Sequence, residues 1–511
     1  MLSKVFSGSV MGIDAFLVEV ETDISPGLPS YILVGLPDNA VRESRERVSS
    51  AISNIGYSFP LKRVTINLAP ADIKKEGAAF DLPIAMGLLA ASGQLSSEKL
   101  NDFLVLGELS LDGNLKPIRG ALPIAASCRK LGIKGLLLPR ANAKEAAVVE
   151  DLKVIGADSL AEAAGFLTGA KEIQPTKVDP QILFDSTSRY GVDYSDVKGQ
   201  EHAKRALEVA VAGGHNVLLI GPPGSGKTML ARRLVTILPR ISLEEAIETT
   251  RIHSVAGFTG DRQSLVATRP FRHPHHTISD AGLIGGGRIP KPGEVSLAHN
   301  GVLFLDEMPE FHKNVLEVMR QPMEDGEVSI SRSLISISYP ARFMLACAMN
   351  PCPCGYLTDP NHSCNCTPSQ IKRYMGNISG PLLDRIDIHV EVPAVPFEHL
   401  ADKKAAEGSE TIRKRVEDGR KIQLERFEHE EGIYCNAHMT RSVLREVCCL
   451  NSETEALLRQ AMFHFGLSAR AHDRILKVAR TIADMAGSPD IEPEHLAEAI
   501  QYRSLDRTSM R

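Results

Sequence analysis

The stretch NVLLIGPPGSGKTMLARRL, residues 216–234, constrains this chain more than any other. A short apolar run from Asn216 to Ile220 leads into a glycine-rich turn of the form G-x-x-x-x-G-K-T, and a helical pattern begins near Lys227. Glycines let successive backbone N–H groups wrap phosphate oxygens, and the start of a helix adds the positive end of its dipole. The candidate ATP cradle is therefore Gly221, Pro222, Pro223, Gly224, Ser225, Gly226, Lys227 and Thr228. Lys227 would reach the β and γ phosphates, and the Thr228 hydroxyl would bind Mg²⁺. The strand–turn–helix context commits this part of the chain to an α/β domain with a parallel sheet.

Three downstream segments supply what such a cradle needs. GVLFLDEMPEF runs from four apolar residues, Val302 to Leu305, into Asp306 and Glu307, as a buried strand ending at an active-site edge should. Asp306 is the candidate Mg²⁺ ligand and Glu307 the candidate base that polarises the attacking water. FMLACAMN, residues 343–350, is another apolar strand, and its terminal Asn350 can orient water against the γ-phosphate. SGPLLDRIDIHVEVP sets Arg385 just before a further strand. A nucleotide at a subunit boundary would take such a residue from its neighbour.

At 511 residues the chain exceeds what one hydrophobic core organises, and its 43% hydrophobic and 24% charged content is that of globular protein. Residues 1–169 read as a separate α/β domain, with strand-like RVTINLA and KGLLLP and helical FDLPIAMGLLAAS. Residues 170–190 read as a linker, 191–396 as the ATPase core and 397–511 as a helical end domain. In the last, a charge-dense run carries Arg413, Lys414, Arg415, Arg420, Lys421 and Arg426, and a solvated helix is favoured there over a nucleic-acid contact. The net charge of −5 gives no global pull toward nucleic acid, so any such contact must be local. With no signal-peptide pattern and no run of eighteen apolar residues, a cytosolic protein without membrane contact is expected.

Nine cysteines, an odd number, argue against a disulfide framework. Four of them form two C-x-C pairs, Cys352 with Cys354 and Cys364 with Cys366, in a cysteine-rich insert at 352–366. Four thiolates can hold zinc in a tetrahedron, although the usual pairs have two to four residues between them. Zinc and a metal-free reduced loop both fit, ahead of iron–sulfur or redox chemistry. Cys347, on the apolar strand, reads as a small buried hydrophobe. His273, His275 and His276 invite a metal too, but no second ligand pair has suitable spacing, and a structural or DNA-facing loop is favoured.

VKGQ (Val197 to Gln200), GPPGSGKT, LFLDE, MNPCPCG and LLDRIDIHVEVP, in this order, resemble the magnesium-chelatase-like AAA+ ATPases of the YifB/ComM type over nearly the whole chain. The resemblance implies a hexameric ring with ATP between subunits, Asn350 as sensor 1, Arg385 as arginine finger and Arg470 as sensor 2, with Arg474 close by. EVSISRSLISIS, Glu327 to Ser338, resembles that branch's pre-sensor 1 hairpin, with Arg332 the candidate DNA-phosphate contact; an ordinary surface hairpin fits equally. KKEGAAFDLPIAMGLLAA and GELSLDGNLKPIRGALPIAASCRKLGIKGLLLP are similar to the protease domain of Lon, which uses a serine and a lysine. Ala79 and Leu122 stand at those positions, so no acyl-enzyme can form and peptidase activity is not expected. RadA-type recombination ATPases carry a similar domain, which suggests assembly or DNA contact.

The expected fold is thus multidomain α/β: a Lon-protease-like amino-terminal domain, an AAA+ core and an all-helical lid. The expected function is an ATP-driven motor on branched or single-stranded DNA, a branch-migration or translocation helicase in recombination or natural transformation. A protein-remodelling ATPase of chelatase or unfoldase type is the alternative, and a DNA-binding scaffold with incidental ATPase activity comes third.

Overall fold

The computed structural model describes residues 2–75, 77–96, 98–179, 190–259, 265–287, 290–332, 335–359, 361–395, 406–430 and 432–503. The amino-terminal domain is built on a seven-stranded sheet in the order Ser30–Val34, Arg63–Ala69, Asp14–Ser25, Leu2–Met11, Phe103–Val105, Gly135–Pro139 and Lys153–Ala157. Its two longest strands, Leu2–Met11 and Asp14–Ser25, pair antiparallel, and parallel pairs flank them. The helix Asp81–Ala91 is buried along its whole length, because its sequence is apolar all round rather than striped. Asp81, at its start, is held by Arg47 at 2.6 Å. Burial pushes the Asp81 carboxyl up to about 6 against the opposing pull of Arg47.

The chain stays on this domain past residue 169: Ile173 joins its core and the Thr176 amide donates to the Val154 carbonyl at 2.8 Å. The rest of the expected linker, 180–189, and the expected boundary at 396–397 lie outside the described residues.

The second sheet has five parallel strands, ordered Phe271–Arg272, Val302–Leu305, Met344–Met349, Val217–Ile220 and Ile388–Glu391. Its three central strands are buried on both faces, which is why they are apolar at every position, whereas the edge strands carry Arg272, His389 and Glu391. Val217, Leu219, Phe304 and Ala346 face a core shared with the carboxy-terminal helices, including Ile475, Val478 and Leu496. Leu218, Ile220, Leu303, Leu305 and Cys347 face the opposite core. Cys347 is thus the buried hydrophobe its strand implied, and burial pushes its thiol up.

The carboxy-terminal region is helical, with Arg441–Val447, Ser452–Phe465, Ala469–Met485 and Pro493–Gln501 packed together. The charge-dense run forms the helix Ser409–Arg426, and here the solvated expectation needs correcting. Lys414 and Lys421 are exposed, but Arg413 donates to the Thr236 carbonyl at 2.8 Å and Arg420 to the Ala212 carbonyl at 2.9 Å. Those carbonyls end the helices Lys227–Ile237 and Glu201–Gly213, whose last turns lack intrahelical partners and carry partial negative charge. Arg426 reaches the buried Asp484 at 2.9 Å. Arg413 and Arg420 thereby clamp this helix to the ATPase core, and Arg426 ties it to the helix Ala469–Met485.

The amino-terminal domain docks on the same core. Leu122 and Val148 pack with Ile241, Ala246 and Leu265, and the buried Glu145 accepts from the Ser254 hydroxyl at 2.5 Å. Arg251 donates to the Ile13 carbonyl at 2.9 Å and to Asp14 at 2.8 Å. Leu122, which the resemblance to Lon-type proteases sets at their lysine position, is fully buried in this interface. Among the described residues no helix is long and apolar enough to cross a membrane.

Candidate nucleotide-binding site

The glycine-rich turn leaves the carboxyl end of Val217–Ile220 and enters the helix Lys227–Ile237 through Gly226, whose φ is +91°. Gly224 is also left-handed, at +76°. Gly221 is fixed by crowding: a Cβ there would stand 2.0 Å from the Val392 carbonyl oxygen. The buried Lys227 ammonium donates to the carbonyls of Gly221 and Pro222, each at 2.8 Å, and to the Asn350 side-chain oxygen at 3.2 Å. Burial lowers its pKa, with the Asp306 and Glu307 charges opposing.

Thr228 donates to Asp306 Oδ2 at 2.7 Å, bringing a hydroxyl and a carboxylate together at the strand end. Such hard oxygen donors suit Mg²⁺, so the residues present fit the ion that the motif implies. Glu307 follows in a left-handed conformation, φ +54°, and its side chain is 59% exposed. That exposure leaves its carboxylate open to water, as a base must be. One neighbour of this carboxylate is a residue the sequence did not suggest: His276 Nδ1 lies 3.7 Å from Glu307 Oε2. His273, from the same loop, packs on Phe304, and burial lowers its pKa against the raising effect of Asp306. The histidine loop therefore faces the acidic pair. Asn350 is held from behind as well, its backbone meeting the Tyr374 hydroxyl.

Arg385 stands elsewhere. It precedes Ile388–Glu391, whose first residue pairs with Val217, the first residue of the P-loop strand. Because these strands run parallel, Arg385 lies at the sheet end opposite the cradle, and Asn216 donates to its carbonyl at 3.1 Å. The four-residue strand alone separates the two ends by roughly 13 Å, at about 3.3 Å per residue. The Arg385 guanidinium is largely buried, paired with Glu324 and donating to the Pro381 carbonyl at 2.6 Å.

Arg470 is at that same far end, pairing with Asp384 at 3.2 Å. Arg474 pairs at 2.8 Å with Asp387, which is 1% exposed. Burial alone would raise the Asp387 pKa, but Arg474, His215 and the Asn216 amide outweigh it and hold the carboxyl well below the usual range. Arg385, Arg470, Arg474, Arg441 and Lys477 line one cleft there, with Glu324, Asp384 and Asp473 between them. The structure thus brings Lys227, Thr228, Asp306, Glu307 and Asn350 together, and leaves Arg385 and Arg470 apart from them.

The hairpin forms as read: Glu327–Arg332 pairs antiparallel with Ile335–Pro340, and Arg332 occupies the last paired position, opposite Ile335. Residues 333 and 334, and the Arg332 side chain with its expected DNA contact, lie outside what is described. The sulfurs of Cys352, Cys354, Cys364 and Cys366 converge within 4.8 Å of one another, and among the described residues no other such group of His, Cys, Asp or Glu forms, the three histidines included.

Comparison with known families matches the core, residues 193–400, to the magnesium chelatase subunit ChlI family. Residues 20–142 match a second ChlI subunit family, and 406–503 the ChlI carboxy-terminal family. The chain is 44% identical to the competence protein ComM of Haemophilus influenzae over 514 residues, spanning 99% of this chain and 98% of that one. It is 45% identical to the YifB protein of Escherichia coli over 508 residues, with the same coverage. A shorter match of 152 residues at 32% identity joins it to Lon protease 2 of Bacillus subtilis, across 28% of this chain and 27% of that protein.

Proposed function

Because the chain belongs to the magnesium-chelatase-like family that includes ComM and YifB, we propose that it is a ring-forming AAA+ ATPase that acts on DNA. One observation carries the ring: the cradle and Arg385 occupy opposite ends of one parallel sheet. A subunit so built completes its own cradle only by receiving a neighbour's far end, a head-to-tail contact that closes into a ring when repeated.

In that composite site Lys227 and the loop amides hold the phosphates, and Glu307, exposed beside His276, takes the proton of the attacking water. Asn350, fixed by Lys227 and by Tyr374, orients that water. Mg²⁺, held by Thr228 and Asp306, would neutralise charge shared by the β and γ phosphates. The neighbour's Arg385 would meet charge developing on the transferred phosphoryl, a contribution worth about 10³–10⁵ in rate elsewhere. Arg470, exposed on the same face, would contact the same nucleotide.

DNA as the substrate draws on the competence role in the name of ComM and on the hairpin ending at Arg332. The working assignment is a branch-migration or translocation motor in recombination or transformation, in a homo-hexamer. The amino-terminal domain is, on this reading, a Lon-like fold whose lost lysine position, Leu122, now serves docking. ATPase rates measured with single-stranded, duplex and four-way-junction DNA test the proposal. Stimulation by at least one DNA is expected. No response to any DNA, together with stimulation by a protein partner, would replace the motor with the protein-remodelling alternative.

A further inference from the structure

We infer that Cys352, Cys354, Cys364 and Cys366 bind one zinc ion as four thiolates, and that the loop so closed braces the P-loop from its outer side. Cys352 Sγ lies 3.4 Å from Cys354 Sγ and 3.7 Å from Cys364 Sγ, and the latter two are 3.6 Å apart. Cys366 completes the group within 4.8 Å. A tetrahedral ion with sulfurs at about 2.3 Å holds them about 3.8 Å from one another, a little more than the 3.4–3.7 Å among the first three and within the 4.8 Å that bounds all four. A disulfide would need about 2.05 Å. A multi-iron cluster needs room for its inorganic core between the sulfurs, and sulfurs in near contact leave the volume of a single ion. An all-thiolate set is too soft for Mg²⁺ or Ca²⁺ and suits zinc. The Cys354 amide donates to Cys366 Sγ at 3.4 Å, the kind of outer hydrogen bond that offsets charge accumulated on metal-bound thiolates.

The bracing follows from what the four residues are attached to. Cys352 is fully buried and comes two residues after Asn350, so one ligand is tied to the end of the strand that delivers that side chain. Gly355, at φ +88°, rests on the P-loop itself: a Cβ there would stand 2.5 Å from Cδ of Pro223. Cys366 is followed by Thr367, which caps the helix Pro368–Met375, and that helix brings Tyr374 to the Asn350 backbone. One ion would therefore join the Asn350 strand, the outer wall of the cradle and the helix behind it. Three elements that meet the nucleotide site from different directions would lose their common anchor with the metal.

The test uses the full-length protein, and its nucleotide arm rests on the ATP-site reading while its metal arm does not. Elemental analysis is expected to find one zinc per chain, lost in Cys364→Ser, and Co²⁺ exchanged into the wild-type protein should give the absorption bands of tetrahedral thiolate coordination. Binding of a fluorescent ATP analogue should weaken several-fold when zinc is removed and recover when zinc returns. Gly355→Ala should keep its zinc yet bind the analogue more weakly. Absence of stoichiometric zinc and of the Co²⁺ spectrum overturns the site. Zinc that can be removed with no change in analogue binding overturns the bracing. An untouched protein that carries zinc but does not bind the analogue overturns the ATP-site reading instead.

Discussion

Arg474→Ala should destabilise the protein far more than Arg470→Ala, although both remove an arginine from the same face of the same helix. Arg474 serves an Asp387 carboxylate that is 1% exposed, whereas the Arg470 and Asp384 side chains are 61% and 36% exposed. Breaking a buried pair by deleting one partner costs about 3–5 kcal/mol, because the other charge stays buried. Asp387 keeps the Asn216 amide at 3.0 Å, so the lower end, about 3 kcal/mol, is expected. The exposed pair is worth about 0–1 kcal/mol. For domains of this size those losses translate into roughly 6–12 °C and under about 4 °C in the melting midpoint.

The difference should also depend on pH. The Asp387 pKa is depressed in the folded state, so its contribution is present above the unfolded carboxylate value, about 4, and is lost as pH falls through the depressed one. The gap between wild type and Arg474→Ala should narrow on acidification, and adding Asp387→Asn to Arg474→Ala should recover part of the loss at neutral pH. Thermal melts of the three variants and wild type between pH 3 and pH 8 measure this. Equal midpoints for Arg470→Ala and Arg474→Ala at neutral pH would refute the reasoning.

Two further outcomes are expected. Glu307→Gln should bind ATP as wild type does but hydrolyse it about 10²–10⁴-fold more slowly, the usual worth of a positioned base, in a coupled phosphate-release assay; turnover at the wild-type rate would remove Glu307 from that role. Leu122→Ala should cost about 2–4 kcal/mol, seen as a lower urea midpoint, because it opens a cavity in the apolar cluster joining the amino-terminal domain to the core, and an unchanged midpoint would mean that the interface does not depend on it.

The parts of the site that sequence made legible are those written in a few adjacent residues. Gly221 to Thr228, Asp306 and Asn350 each end or follow an apolar run, and parallel pairing brings such ends to one edge whatever the rest of the chain does. The meeting of His276 with Glu307 was not legible, because a loop returning across a sheet edge leaves no periodic trace. The same holds for Arg470: its position depends on how the helical region docks, a matter of three-dimensional packing and not of local pattern. Composition pointed the wrong way for the Ser409–Arg426 helix, where basic residues suggested solvent but Arg413 and Arg420 reach open helix-end carbonyls. For the cysteines, spacing left zinc and free thiols open; that the four sulfurs converge is a matter of how the loop folds back, and the zinc proposal rests on that convergence.

The central claim, that each ATP site is shared by two subunits, is tested most directly by mixing two crippled chains. Lys227→Ala spoils the cradle and leaves Arg385 intact; Arg385→Ala does the reverse. Each alone should hydrolyse ATP at a small fraction of the wild-type rate. In an equimolar mixture with random exchange, an intact cradle meets an intact Arg385 at about one interface in four, so activity should recover to at most about a quarter of wild type. A mixture whose subunits have exchanged, by native mass spectrometry, yet whose rate stays at the average of the two separate variants would contradict the account.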